Sequence, residues 1–121
     1  MKKMIIGAVL TAATVNASAV SGTTFFNGVK YRSAPELEQL MYLAGVLDGL
    51  IASPALYNDK DSPARAALAK CTTKMQVTPG QLRVIVQNYM QANPEQWGYA
   101  MSSLVVAAMN ISCAKIGTPL E

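Results

Sequence analysis

Thr78-Pro79-Gly80-Gln81-Leu82, followed about fifteen residues later by Asn93-Pro94-Glu95-Gln96-Trp97, is the stretch that decides the fold. Thr78 is a good N-cap, Pro79 suits the first helical position, and Gln81 stands where a capping box needs it. Asn93, Pro94 and Gln96 repeat the arrangement. Each signature precedes apolar residues at helical spacing. Leu82, Ile85, Val86, Tyr89 and Met90 follow the first; Trp97, Met101, Leu104, Val105, Ala108 and Ile111 or Ser112 follow the second. The pattern predicts a helix, a tight break and another helix.

Toward the N-terminus, Ser33-Ala34-Pro35-Glu36 reads as a further capping box. It opens a stripe of Leu37, Leu40, Met41, Ala44, Leu47 and Leu50 or Ile51. Gly45 and Gly49 interrupt the stripe, each costing about 1 kcal/mol relative to Ala. Small residues four apart let a second backbone approach closely, and packing within the monomer core is the expected use. Asp48 reads equally as a buried acceptor or as a marker of the solvent side. Pro54 is expected to end the helix near Ser53. A loop from Ala55 to Asp61 follows. Ser62-Pro63 then restarts a short helix, Ala64 to Lys70, which delivers Cys71, and Thr72 to Val77 connect onward.

The ends read differently. Lys2 and Lys3, the apolar run Met4 to Val15, and Ala17-Ser18-Ala19 have the form of a cleavable signal peptide over residues 1–19. The apolar run is too short to span a bilayer, which needs roughly 20 such residues. Residues 20–32 read as a polar, extended arm. Asn27-Gly28 between apolar residues is a hairpin signal, but a lone hairpin is marginal in water, so the arm is the expected reading. Residues 117–121 read as a frayed tail. The fold class is all-α: three longer helices and one short helix over residues 33–116, within one domain of about 100 residues.

The predicted export bears on Cys71 and Cys113, the chain's two cysteines. An even cysteine count in an exported chain reads as a disulfide, the alternative being two buried thiols. Setting aside Lys2 and Lys3 leaves eight basic against seven acidic residues, with no basic patch to suggest nucleic acid. The chain has no histidine, which removes Ser-His and Cys-His nucleophile activation and the commonest zinc ligand. The acids are scattered. Asp59-Lys60-Asp61 lacks the further ligands, Gly and terminal Glu of a calcium loop. Neither an enzyme nor a cofactor is expected, and the chemistry points to a protein that works by binding.

Three blocks then carry a resemblance. They are Tyr42-Leu43-Ala44-Gly45-Val46-Leu47-Asp48-Gly49; Cys71 with Val77-Thr78-Pro79-Gly80-Gln81-Leu82; and Asn93-Pro94-Glu95-Gln96 with Ala100, Ser102-Ser103-Leu104-Val105 and Cys113. In this order they resemble the Rap/Tai immunity proteins, which protect bacteria against amidase effectors of the type VI secretion system. Members of that family often carry another cysteine before the Tyr-x-x-Gly block. Here Gln39, Leu40 and Met41 occupy the region, so one disulfide is expected. The resemblance implies a periplasmic protein that occludes a cognate peptidoglycan amidase, and a homodimer, with no membrane association after signal cleavage. The loop Leu56, Tyr57, Asn58, Asp59, Lys60 and Asp61 is the expected partner-binding segment, chosen for its loop character and its aromatic anchor. Trp97 and Tyr99 form the alternative patch, with core packing the expected role of Trp97. Two other functions fit a small exported helical domain: an acid-stress holdase chaperone, and an inhibitor of another cell-wall hydrolase such as lysozyme.

Overall fold

A computed structural model describes residues 25–57 and 62–120, the side chains of residues 54–57 excepted. It is all-α. The order is α1 (Gly28–Ser33), α2 (Glu36–Tyr57), α3 (Pro63–Met75), α4 (Pro79–Ala92), a 3-10 turn (Pro94–Gln96) and α5 (Met101–Lys115). The only β pairing among the described residues is an isolated antiparallel bridge between Asn27 and Ala100.

α4 follows its sequence signature closely. The Thr78 hydroxyl accepts from the Gln81 amide at 3.2 Å, and the Gln81 side chain accepts from the Thr78 amide at 2.8 Å. Two of the four N–H groups that a helix start leaves open are thereby satisfied. Leu82, Val86 and Met90 are buried, while Ile85 and Tyr89 pack at the margin of the core. Thr78→Ala should lower stability by about 1 kcal/mol. Urea titration of the two proteins measures this, and an unchanged midpoint would mean the box contributes nothing.

The expected short helix is longer than the sequence suggested. Ser62 caps it as predicted, accepting from Arg65 N at 3.4 Å, but it runs on to Met75 and carries Cys71 within it. It ends where Gln76 adopts a left-handed conformation, φ 49°.

Elsewhere the local signals were taken over by neighbours. Residues 28–32, expected in the arm, begin a helix. Asn27 caps α1 through its side-chain oxygen, 2.9 Å from Lys30 N, so Asn-Gly here starts a helix and turns no hairpin. Ser33 does not cap α2; it is the last residue of α1, and its hydroxyl donates to Lys30 O. Pro54 does not stop α2, which continues to Tyr57. A helical proline leaves the carbonyl four residues earlier without its N–H donor. That carbonyl is Leu50 O, and the Ser53 hydroxyl donates to it at 2.9 Å. Asn93 opens only the 3-10 turn, with no side-chain cap; its side-chain Nδ2 donates back to Tyr89 O and its backbone N–H to Met90 O. α5 starts later, at Met101.

α5 runs through the middle of the core. Met101, Leu104, Val105, Ala108, Met109 and Cys113 are all buried, against Leu43 and Leu47 of α2, Leu68 and Cys71 of α3, and the α4 stripe. Cys71 and Cys113 form the expected disulfide, Cα–Cα 5.6 Å, which ties α3 to α5. Residues 118–120 are docked, in contrast to the frayed tail expected. The Thr118 hydroxyl donates to Cys113 O, Leu120 N donates to Asn110 Oδ1, and the Leu120 side chain joins the core.

α2 buries only the later part of the expected stripe. Leu47 points inward and Leu50 and Ile51 pack against the core, but in the first turns Gln39 and Leu43 point inward, while Leu37 and Met41 are 67% and 68% exposed. The helix is apolar nearly all round, so its period cannot choose a side; α4 and α5 choose it. Gly45 and Gly49 lie on the outer side with no atom within 4 Å of where a Cβ would sit, which corrects the expected packing against the monomer core. Asp48 is exposed, as the solvent-side reading has it.

Candidate interaction surfaces

The partner-binding loop expected from the sequence, Leu56 to Asp61, lies outside the described residues, apart from the backbone of Leu56 and Tyr57 at the end of α2. The signal segment, residues 1–19, also lies outside them. The surfaces below belong to the rest of the chain.

The first is the outer side of α2, where Leu37 and Met41 stand exposed two turns and one turn before Gly45. The second is at the start of α1. Gly28 N donates to Tyr99 O, Val29 N to Trp97 O and Met101 N to Phe26 O, so residues 26–29 are laid against residues 97–101. Phe25, Val29 and Tyr99 are exposed at this end. Trp97 is half-buried: its indole N–H donates to Met90 O at 2.7 Å, and its ring carries the Arg32 guanidinium 3.4 Å from its centroid. The alternative patch therefore splits. Tyr99 faces outward, whereas Trp97 serves mainly to fix α1 and the turn. A third feature is an apolar groove where α3 passes into α4, lined by Met75, Val77, Gly80, Gln81, Val84 and Ile85.

The fourth is polar. A cleft between α1, the start of α2 and α4 is lined by Tyr31, Arg32, Gln39, Arg83, Gln87 and Gln91, with Met90 at its base. Gln39 is buried and organises one wall. Its amide nitrogen donates to Tyr31 O at 2.9 Å and to Ala34 O at 3.0 Å, and its oxygen accepts from Arg83 Nε at 2.8 Å. Glu36 stands at 3.8 Å from Arg83 on an exposed side chain. Sequence reasoning missed this cleft, because its members are scattered from residue 31 to residue 91. The one available signal was Gln39, a polar residue in an otherwise apolar run.

Tyr31 is 3% exposed, and its hydroxyl has no hydrogen-bond partner. Burial pushes its pKa up to about 12, against a smaller lowering by the Arg83 charge, and burial also raises that of Tyr42. A raised phenol pKa means that the unfolded chain gives up its proton first. Its contribution to stability is complete below about pH 10 and is lost as pH rises toward about 12. Denaturation midpoints should fall between about pH 10 and pH 12, and less steeply in Tyr31→Phe. Parallel pH profiles of the two proteins would rule Tyr31 out as the source.

Among the described residues no three His, Cys, Asp or Glu side chains are grouped to hold a metal ion, and no helix is long and apolar enough to cross a membrane. Fold and surface define a small helical domain closed by a disulfide and offering several surfaces to a partner. The model of the Rap1a immunity proteins matches residues 27–112, well over half of the chain, and the chain belongs to that family. Membership agrees with the resemblance drawn from the three sequence blocks, and it makes the protein an immunity protein that binds a cognate effector. No curated protein and no solved structure matches the chain.

Proposed function

We propose that this is a periplasmic immunity protein that binds and occludes a peptidoglycan amidase delivered by type VI secretion from sibling cells. Membership in the Rap1a immunity family carries the reading. The Cys71–Cys113 bond supports it, since such bonds persist in oxidising compartments. So does the signal-like composition of residues 1–19. A helical scaffold stapled between α3 and α5 can present a rigid surface to a toxin cleft with little ordering cost on binding. Occlusion needs no chemistry from the inhibitor, so the role assigned is non-catalytic. A second copy of the chain is the further partner that the family resemblance implies, and light scattering of the purified domain tests for it.

The deciding experiment is binding of the oxidised domain, Val20 to Glu121, to purified type VI amidases, with peptidoglycan cleavage read in parallel. Nanomolar binding with loss of cleavage is the expected result. Substitutions at Tyr57 and Asp59 then test the loop Leu56 to Asp61 as the occluding segment. No binding across a broad amidase panel would overturn the reading.

A further inference from the structure

Two arginines and three glutamine amides line the polar cleft beside Tyr31. Arg83 spends its Nε–H on Gln39, and its two terminal nitrogens make no hydrogen bond among the described residues. Gln39 is fully committed: both donors go to backbone carbonyls and its oxygen to Arg83. The Arg83 fork is thus held in a fixed orientation rather than left to roam. Arg32, on the other side, is held over the Trp97 ring. The side chains of Gln87 and Gln91 line the mouth and are exposed. No carboxylate lines the cleft, and the nearest one, Glu36, is too far from Arg83 for a direct hydrogen bond.

The Tyr31 hydroxyl completes the set. A buried hydroxyl without a partner costs stability, and native proteins seldom keep one without a use. Like any phenol it is protonated through the physiological range, and burial raises its pKa further. It needs an acceptor. Arg32 and Arg83 offer only donors and the Gln39 oxygen is already taken by Arg83, while the amide oxygens of Gln87 and Gln91, which also line the cleft, are not bonded to the hydroxyl.

We infer that the cleft between α1, α2 and α4 receives a carboxylate, carried on an Asp or Glu side chain of a protein partner, which takes hydrogen bonds from the Tyr31 hydroxyl and the Arg83 guanidinium. A planar, two-oxygen acceptor matches the guanidinium fork. A space of about 220 Å³ is enough to receive one carboxylate-bearing side chain. The immunity reading bears only on which protein carries the acid, and the test below uses no amidase, so the two can fail separately.

The test is an NMR titration of the purified, oxidised protein with N-acetyl-aspartate methylamide and, separately, with its asparagine counterpart. The Arg83 Nε–H and the Tyr31 ring signals are followed. Saturable millimolar shifts with the aspartate probe, at least tenfold weaker with asparagine and lost in Tyr31→Phe and in Arg83→Gln, are expected. An Asp-containing peptide should bind more tightly than acetate. Equal binding of acetate would overturn the assignment to a protein side chain in favour of a small free carboxylate. Tyr31→Phe should also melt at the same temperature as the parent or higher in the free state, since it removes an unpartnered polar group. A lower melting temperature would show that the hydroxyl is already bonded, and with it the inference falls. Absence of any shift with the aspartate probe would overturn it directly.

Discussion

Cys71→Ala/Cys113→Ala lowers stability by about 3–4 kcal/mol, the largest loss expected from any change that leaves the packing nearly intact. The bond joins residues 42 apart in sequence, and closing a loop of that length removes much of the freedom of the unfolded chain. For a domain of about 100 residues, whose total stability is of order 5–15 kcal/mol, this is a large share. Both sulfur-bearing side chains are fully buried between α3 and α5, so replacing them with alanine leaves no exposed polar group and only a small void. Urea titration of the oxidised parent and the double variant measures the difference. A loss below about 1 kcal/mol would mean that the unfolded chain already holds α3 near α5 without the bond.

Gly28→Ala is destabilising by about 1–3 kcal/mol, although helix propensity alone favours the change by up to about 1 kcal/mol. A methyl group at residue 28 would stand 2.8 Å from the Trp97 carbonyl oxygen, 2.9 Å from Leu104 Cδ1 and 3.0 Å from Met90 Cε. Either flexible side chain can retreat. The backbone oxygen cannot, because Trp97 O accepts from Val29 N and that bond docks α1 on the turn. Relief therefore requires α1 to lift, breaking the bonds from Gly28 N and Val29 N together. Thermal melts of the parent and Gly28→Ala test the point, with Gly45→Ala as the control. Residue 45 faces open space, so its alanine should be neutral or stabilising. If the two alanines behaved alike, the close approach at residue 28 would carry no weight.

Where the sequence was legible, one local interaction decided the outcome. Thr78 with Gln81, and Ser62 before Pro63, satisfy their helices from within a few residues and need nothing from the rest of the fold. The cysteine pair was legible because only two cysteines were available. Where the reading missed, a distant partner held the decision. Asn27-Gly28 serves either turn or cap equally well, and residues 97–101 settle it by binding the amides of Gly28 and Val29. Pro54 lost its power to break α2 through the Ser53 hydroxyl, an option that a proline rule does not consult. The buried side of the first turns of α2 could not be read from a helix with apolar residues on every side. Of the surfaces, the loop chosen from sequence lies outside the described residues. The polar cleft has members separated by up to 60 positions, and only the antiparallel approach of α2 and α4 gathers them.

The Cys71–Cys113 bond also divides the chain into two kinds of segment. The end of α3, all of α4, the turn and most of α5 form a covalent ring, whereas α1 and α2 lie wholly outside it. A fluctuation that peels α1 and α2 away exposes Leu43 and Leu47 but leaves the ring closed, so it is the less costly way for the domain to open. Amide protons of α1 and α2 should exchange with solvent through such partial openings, and those of α4 and α5 only when the whole domain unfolds. The polar cleft spans that divide, with Tyr31 and Gln39 on the detachable side and Arg83 on the ring, so a ligand seated there would act as a clasp and slow the exchange of α1 and α2.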